Sequence, residues 1–285
     1  MDVKNGQNKI SPLFLKGETL QAAYYGYTYI GGRDEDQDFL ACKVANGHHL
    51  FIVCDGMGGH AGGCVASETA AKALLESFCR QPEIIPTKEA IITAVNAANT
   101  AVFNKSQEEP RLRGMGTTLT LLVVDDEAAY VTHIGDSRVY QLRNGHKIFR
   151  TFDHSLVFDL VAKGHISEED ARNHPRSNVL SKAVGIFPEV EVDVTKLGYL
   201  TNDRFVLCCD GVWNSQPEVD IINMFTEYDE LETTVLTTQL TIEGIGRKNG
   251  GHHDNHTMIV VDMKTDSKYK GSLFYQLKRC ITKSI

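Results

Sequence analysis

The sequence predicts one α+β domain in which two mostly antiparallel sheets pack together and helices cover their outer faces. Turn signals such as Asn144-Gly145 stand between short apolar segments, a pattern typical of β-hairpins. Helical segments come in blocks rather than after every strand, which disfavours a doubly wound parallel sheet. Hydrophobic residues make up 42% of the 285 residues, enough for one large core, and no linker or repeat divides the chain.

The first half of the chain contains five predicted strands and two predicted helices. Residues 1–20 are expected to form an irregular N-terminal extension. Alternating or apolar segments predict strands at 21–29, 39–44, 50–54, 117–124 and 129–134. Apolar residues at helical spacing predict helices at 67–78 and 88–104, which we expect to pack against each other as a pair.

The second half of the chain continues with hairpins, short helices and a basic tail. Strands are predicted at 138–142, 147–151, 204–209 and 257–263. Helices are predicted at 155–163, 167–173, 218–225 and 231–244. Residues 264–285 are basic and partly apolar, and we expect a tail that is solvated or packed on the domain, with contact to a membrane surface or a partner as the alternative.

Charge and cysteine content narrow the classes of function. The net charge of -8 makes the protein a poor candidate for nucleic-acid binding, which requires a basic surface. Seven cysteines without a framework spacing predict reduced core thiols rather than disulfides. The sequence has neither a signal peptide nor a membrane-spanning segment, so we expect a soluble, cytoplasmic protein.

Five predicted strand ends carry an aspartate. Asp55, Asp136 and Asp210 lie beside glycine where an apolar strand ends, and Asp38 and Asp254 lie just before a strand. Carboxylates that converge at one rim of a sheet repel each other and stay ionised together only beside cations. Oxygen ligands suit hard ions such as Mg2+ and Mn2+. Ordinary turn chemistry explains any one Asp-Gly pair, but it explains five sites less well.

Five ordered motifs make this interpretation more specific. The first is Asp55-Gly56-Met57-Gly58-Gly59-His60-Ala61-Gly62-Gly63, and the others are residues 114–118, 135–138, 209–213 and 254–257. With residues 33–38 they span nearly the whole predicted domain. In this order and spacing they resemble the signature of the protein phosphatase 2C family, in its bacterial form.

The resemblance implies a metal-dependent phosphatase that removes phosphate from serine and threonine side chains of proteins. It implies a four-layer α-β-β-α sandwich, with two sheets flanked by helix pairs, in a catalytic domain at 21–263 with a flap at 163–181 beside the active site. The implied cofactors are two Mn2+ or Mg2+ ions and a third, weaker ion. The implied partners are phosphorylated proteins and the Ser/Thr kinase that modifies them, and we expect a monomer.

The resemblance also assigns roles to individual residues. Asp55 would bridge two ions, and Asp136 would hold the third. The implied metal ligands are Asp38, Asp55, Gly56 through its carbonyl, Asp136, Asp210 and Asp254. Arg33 would bind the substrate phosphate with its planar fork, and His60 would protonate the leaving alkoxide. Water would be the nucleophile, so no phosphoenzyme is needed.

One departure from the family pattern lies beside the implied ligands. The family usually has Asn-Glu-Asp or Asn-Gln-Asp where this chain has Asp36-Gln37-Asp38. Asp36 adds negative charge and Gln37 lacks the charge of a glutamate, so we expect metal affinity to differ. Two alternatives stay open: a catalytically weak relative that binds phosphoproteins as a regulator, and a metal-dependent hydrolase of small phosphoesters.

Overall fold

Two antiparallel sheets lie face to face in the computed structural model, which describes residues 11–45, 47–80 and 88–269. The first sheet has the strand order β1 (Leu13–Glu18), β2 (Ala22–Tyr29), β12 (His256–Met263), β11 (Arg204–Cys208), β8 (Arg138–Arg143) and β9 (His146–Arg150). The second has the order β10 (Val194–Leu197), β7 (Ala129–Ile134), β6 (Leu119–Val124), β4 (His48–Met57) and β3 (Asp38–Ala45). The short strand β5 (Gly116–Thr117) pairs with the end of β4.

Pairs of helices cover the two outer faces. Helices α1 (Gly59–Arg80) and α2 (Lys88–Glu108) pack on the second sheet, and α6 (Glu218–Thr226) and α7 (Leu231–Lys248) pack on the first. Three shorter helices lie in the connections: α3 (Leu156–Ala162), α4 (Glu168–Arg172) and α5 (Asp210–Trp213). This arrangement confirms the predicted four-layer α-β-β-α sandwich.

Strand β4 is apolar on both faces because both are buried. Phe51 and Val53 belong to the apolar cluster shared with the first sheet. Leu50, Ile52 and Cys54 belong to the cluster shared with α1 and α2. A strand covered on both faces has a continuous apolar run instead of an alternating one, which is why the sequence showed one here.

The prediction that residues 1–20 are irregular is wrong for Leu13–Glu18, which form β1. This edge strand pairs along its whole length with β2, from Leu13 opposite Thr28 to Glu18 opposite Ala23. Its alternation is weak, so pairing with β2 rather than the local sequence specifies the strand. Strand β10 also had no predicted counterpart, and its four residues are held by pairing with β7.

Helix α1 begins at Gly59, well before its predicted start at residue 67. Glycines disfavour a helix, so the sequence suggested a loop. Here they permit a close approach: a Cβ at Gly56 would lie 2.1 Å from the carbonyl oxygen of Gly63, and one at Gly63 would lie 2.7 Å from the Gln37 side chain. The first turns of α1 therefore touch the backbone of β4 directly.

The packed domain extends past the predicted boundary at residue 263. Ser267 is 1% exposed, and its hydroxyl accepts a hydrogen bond of 2.8 Å from the backbone N–H of Tyr199. Lys268 pairs with Asp126 at 2.6 Å. The rest of the predicted basic tail, 270–285, lies outside the described residues. Within the ranges that the structure describes, every helix is too short or too polar to cross a membrane.

Candidate active site

Five aspartates from both sheets come together at one end of the sandwich. Asp38 begins β3 and Asp55 lies near the end of β4, whereas Asp136 lies in the turn between β7 and β8. Asp210 is the first residue of α5, just after β11, and Asp254 lies just before β12. The adjoining cleft is lined by Arg33, Asp55, Gly56, Asp136, Asp210 and Asp254. Asp38 lies behind this lining.

Asp38 and Asp55 are direct neighbours across the ladder of β3 and β4. One carboxylate oxygen of each and the Sγ of Cys209 lie within 4.8 Å of one another. Asp38 is 7% exposed, and among the described residues neither of its carboxylate oxygens has a hydrogen-bond partner. A buried carboxylate without partners is strongly unfavourable, and a bound cation relieves the penalty. The residues present therefore fit an oxygen-ligand metal site.

Burial and mutual repulsion raise the pKa of the clustered carboxyl groups. Burial raises the pKa of Asp55 well above its usual range, and the charges of Asp38 and Asp210 raise it further. Burial and then the charge of Asp210 act in the same direction on the pKa of Asp136. Burial and then the charge of Asp254 raise the pKa of Asp210 to about 6. Cations would stabilise the ionised forms together.

Two threonines fix the backbone of Asp55. The N–H of Thr118 and the hydroxyl of Thr117 donate to the Asp55 carbonyl at 2.8 and 2.9 Å. The Asp55 N–H in turn donates to the Thr118 hydroxyl at 2.9 Å. That hydroxyl lies 2.7 Å from the hydroxyl of Ser137, next to Asp136. The motifs at 114–118 and 135–138 thus position the carboxylate of the first motif.

Asn255 ties the segment of Asp254 to the loop before β3. Its amide nitrogen donates to the carbonyls of Ile30 and Glu35 at 2.7 and 2.9 Å. Its amide oxygen accepts from the N–H of Gln37 at 2.9 Å. No local pattern predicts a role for Asn255, and its only signal is its place beside Asp254 in the last motif.

The carboxylate of Asp36 accepts two hydrogen bonds, from the Thr28 hydroxyl at 3.0 Å and from the Asp38 N–H at 3.2 Å. The two bonds use different oxygens, Oδ2 and Oδ1, and an asparagine has a single side-chain oxygen, so it could accept only one of them. Burial raises the pKa of Asp38, and the charge of Asp36 raises it further. The departure therefore changes both the hydrogen bonding and the electrostatics beside the cleft.

Gln37 joins the start of α1 to β4. Its side-chain amide donates to the carbonyl of Gly59 at 3.1 Å. Its backbone carbonyl accepts from the Ser67 hydroxyl at 2.7 Å and from the Gly56 N–H at 3.1 Å. A glutamate has no donor for the Gly59 carbonyl, so the amide suits this position.

Arg33 and His60 are the two predicted catalytic residues. The Nη2 of Arg33 donates to the Oδ2 of Asp254 at 2.8 Å, with the two side chains 54% and 42% exposed. Arg33 therefore lies at the rim of the cleft. The backbone of His60 is in the first turn of α1, but its side chain lies outside the described residues, so its role stays a prediction.

A buried ion pair supports the backbone of Asp136. Arg138 donates to both carboxylate oxygens of Asp153, at 2.8 and 2.7 Å, with both side chains nearly inaccessible. The guanidinium carbon lies 3.5 Å from the centre of the Trp213 ring. The ring nitrogen of Trp213 donates to the Asp136 carbonyl at 2.9 Å. These contacts connect the core to the predicted site of the third ion.

Part of the predicted flap at 163–181 reaches the cleft. Asn178 and Leu180 contribute to the lining. Arg172 of α4 donates to the backbone carbonyl of Trp213 at 2.8 Å and to that of Gln216. The segment is thus anchored to the residues that follow Asp210.

The four-layer fold and the aspartate-lined cleft are those of a protein phosphatase. The family model of protein phosphatase 2C matches residues 26–242, and the chain belongs to this family. The serine/threonine phosphatase stp of Listeria monocytogenes is 36% identical over 225 residues, which are 77% of this chain and 86% of that protein.

Two solved structures of bacterial phosphatases are also similar to this chain over most of its length. The Ser-Thr phosphatase MsPP of Mycobacterium smegmatis, in complex with cacodylate, is 32% identical with a TM-score of 0.71, over 84% of this chain and 97% of that one. The catalytic domain of PstP, a phosphatase of Mycobacterium tuberculosis, was solved in complex with two manganese ions. It is 29% identical with a TM-score of 0.71, over 86% of this chain and 99% of that one.

Proposed function

We propose that this chain hydrolyses phosphoserine and phosphothreonine in proteins with a metal-activated water molecule. The observation that carries the proposal is the convergence of five aspartates from both sheets at one end of the sandwich, where four of them line one cleft with Arg33 at its rim. When bound there, Mn2+ or Mg2+ would lower the pKa of a water ligand and stabilise charge on the phosphoryl group.

We assign two ions to the aspartate cleft and a third, weaker ion to Asp136. Asp55 would be shared by the two ions, because it lies opposite Asp38 across the β3 and β4 ladder and lines the cleft together with Asp210 and Asp254. The proposed ligands are Asp38, Asp55, the carbonyl of Gly56, Asp210 and Asp254, with Asp136 for the third ion. The two manganese ions in the PstP structure support the count of two.

Arg33 would bind the phosphate of the substrate. Its contact with Asp254 uses Nη2, and the planar guanidinium has further N–H groups that can donate to phosphate oxygens. The surrounding carboxylates repel an anionic substrate, so a cation at the rim offsets part of that repulsion. The pairing with Asp254 keeps Arg33 beside the cleft.

His60 is our candidate for the proton donor to the leaving alkoxide. Gly58 and Gly59 line the cleft, so the backbone of His60 follows directly on the lining. A histidine there can supply a proton near neutral pH. Replacement by glutamine should lower turnover most for substrates with a poor leaving group.

Substrate and setting are also proposals. We propose phosphoproteins made by a bacterial Ser/Thr kinase as substrates, since the bacterial relative is named a serine/threonine phosphatase. We propose that the chain acts as a monomer. The buried thiols Cys54, Cys208 and Cys209, whose pKa burial raises, fit the expected cytoplasmic location. The regulator alternative is disfavoured because all the predicted aspartates are in place.

The test is release of phosphate from a phosphothreonine peptide, with and without Mn2+, by the wild-type chain and by Asp210→Asn. The exposed Asp229 offers a matched control, Asp229→Asn. Metal-dependent turnover that only Asp210→Asn loses would support the proposal. Absence of turnover at every Mn2+ and Mg2+ concentration, in a folded protein, would overturn it.

The flap offers a test of the substrate class. Arg172→Ala removes the anchor of α4 on the carbonyls of Trp213 and Gln216. Turnover of a phosphopeptide should fall several-fold more than turnover of p-nitrophenyl phosphate, because only the peptide extends to the flap. Equal losses would instead favour a hydrolase of small phosphoesters.

A further inference from the structure

A second group of metal-ligand side chains lies between α7 and the segment around Asp254. The Oε1 of Glu243 lies 2.5 Å from the Nε2 of His253 and 3.1 Å from the Nε2 of His256. The three atoms are within 4.8 Å of one another. We call these three residues the Glu-His-His cluster. It does not contribute to the described lining of the aspartate cleft.

The cluster is buried and shaped by its surroundings. The side chains of Glu243, His253 and His256 are 8%, 16% and 0% exposed. A Cβ at Gly246 would lie 2.2 Å from the ring of His253. Helix α7 therefore lacks a side chain at the point where this ring packs against it, and the ring is brought next to Glu243.

Neighbouring groups orient the side chains toward each other. The Nδ1 of His256 lies 2.8 Å from the hydroxyl of Tyr27, which leaves Nε2 directed at Glu243. The second oxygen of Glu243, Oε2, lies 3.4 Å from Arg247, which leaves Oε1 for the two rings. Partners of this kind, which hold the far nitrogen of an imidazole, are a regular feature of metal-binding histidines. His256 has such a partner, whereas the buried Nδ1 of His253 has none among the described residues.

We propose that the Glu-His-His cluster binds one transition-metal ion of the zinc type through Glu243 Oε1, His253 Nε2 and His256 Nε2. Two imidazoles and a carboxylate form a ligand set that zinc takes, with water in the fourth position. Mg2+ and Mn2+ prefer oxygen ligands, so this site differs in chemistry from the aspartate cleft.

The spacing of the ligand atoms suits such an ion. Atoms about 2.0–2.1 Å from one tetrahedral ion lie roughly 3.3 Å apart. The 3.1 Å distance from Glu243 to His256 is close to that value, and the 2.5 Å contact between Glu243 and His253 would open by about 0.8 Å when the ion replaces the proton. An ion here would connect α7 to the segment that carries Asp254 and Asn255.

The experiment uses the full chain and Co2+ as a spectroscopic probe for zinc. A four-coordinate site with nitrogen ligands gives Co2+ an intense visible absorption, whereas six-coordinate oxygen sites absorb weakly. His253→Gln is the main variant, because glutamine still donates a hydrogen bond to Glu243 but binds Co2+ poorly. The neighbouring His252 is exposed, so His252→Gln is the matched control.

The intense band is expected in the wild type, in His252→Gln and in Asp210→Asn, where binding in the aspartate cleft is weakened. It should be lost in His253→Gln and in Glu243→Gln, and Zn2+ should displace it at one equivalent. Zn2+ should also raise the Tm of Asp210→Asn, but not that of Asp210→Asn combined with His253→Gln.

The proposal is overturned if neither the wild type nor any variant shows the band, in which case hydrogen bonds from the two imidazoles to Glu243 account for the cluster without a metal ion. It is also overturned if the band survives in both His253→Gln and Glu243→Gln. Two variants are used because one of them could fold poorly, which the Tm without metal would reveal. Mn2+-dependent phosphate release is measured separately. Its absence would contradict the proposed function without bearing on this site.

Discussion

Asp38 and Asp55 face each other on adjacent strands, with neither carboxylate oxygen of Asp38 hydrogen-bonded within the described part of the chain. Like charges opposite one another destabilise an antiparallel pair. The β3 and β4 ladder nevertheless keeps them at its buried end. The clustered aspartates therefore lower the stability of the metal-free protein, and a bound cation would relieve that cost.

Asp210→Asn should stabilise the metal-free protein while removing activity. Burial and Asp254 raise the pKa of Asp210 from 3.8 to about 6. A carboxyl group whose folded pKa is raised contributes stability at low pH, and this contribution is lost as the pH rises from about 4 to about 6. At pH 7.5 in EDTA the variant should gain about 1–3 kcal/mol of unfolding free energy in urea.

With saturating Mn2+ the order of stability should reverse, and turnover should fall by at least about 100-fold, because a ligand is lost. A variant that is less stable than the wild type in EDTA would show that the clustered carboxylates do not repel one another.

Asn255→Ala should weaken metal binding without removing a ligand. Its three hydrogen bonds hold the loop from Ile30 to Gln37 against the segment of Asp254. The Mn2+ concentration for half-maximal activity should rise about 10–100-fold, as for other groups that orient ligands. Turnover at saturating Mn2+ should largely recover. The exposed Asn249 provides the control Asn249→Ala, which should leave the Mn2+ dependence unchanged.

Asn255→Asp separates the two kinds of contact, because aspartate keeps the acceptor for Gln37 and loses the two donors. A Mn2+ dependence like that of the wild type in both variants would contradict a positioning role.

His154 should make the protein less stable in mild acid. Burial, the stacked His133 and Lys182 lower the pKa of His154 to about 4. A histidine with a lowered folded pKa contributes stability above its ordinary value near 6.5, and this is lost as the pH falls toward about 4. Between pH 7 and pH 5 the loss should be about 1–2 kcal/mol, reduced by partial exposure.

His154→Asn keeps an acceptor for the N–H of Gly135, which now donates to Nδ1 at 3.3 Å. Urea titrations at the two pH values should show a smaller pH effect in this variant. His146→Asn, at an exposed position, should behave as the wild type. An unchanged pH effect in His154→Asn would assign the titration to another group.

Asp153→Asn should be among the most destabilising carboxylate-to-amide changes in the chain. It leaves the guanidinium of Arg138 buried without a counter-charge. We expect a loss of about 3–5 kcal/mol of unfolding free energy. Glu68→Gln makes the same chemical change in the exposed pair of Glu68 with Lys72, and it should alter stability by less than about 1 kcal/mol. Similar losses for the two variants would show that burial does not determine how much unfolding free energy is lost when an ion pair loses its carboxylate charge.

Strands and turns could be predicted from the sequence where the local pattern of residues determines the structure. Alternation and apolar runs placed strands such as β4 and β7, and Asn144-Gly145 has the positive φ angles that its predicted hairpin turn requires. The strand-end aspartates also lie at one end of the sandwich, and four of them line the cleft. Their roles as metal ligands stay predictions.

Other features depend on contacts between distant segments. Strand β1 is specified by pairing with β2, and the first turns of α1 by the close packing of Gly56 and Gly63. Asn255 meets Ile30 across the domain, so no local pattern could reveal its role. The Glu-His-His cluster likewise joins α7 to β12 only in the folded chain.

The proposed ligands are divided between the two sheets. Asp38 and Asp55 belong to β3 and β4, whereas Asp210 and Asp254 adjoin β11 and β12. Ions shared by these residues would act as a cross-link between the two halves of the sandwich. Their binding energy would then count toward the cohesion of the whole domain. Chelation would therefore lower the unfolding free energy of the whole sandwich as well as stop the reaction of this phosphatase.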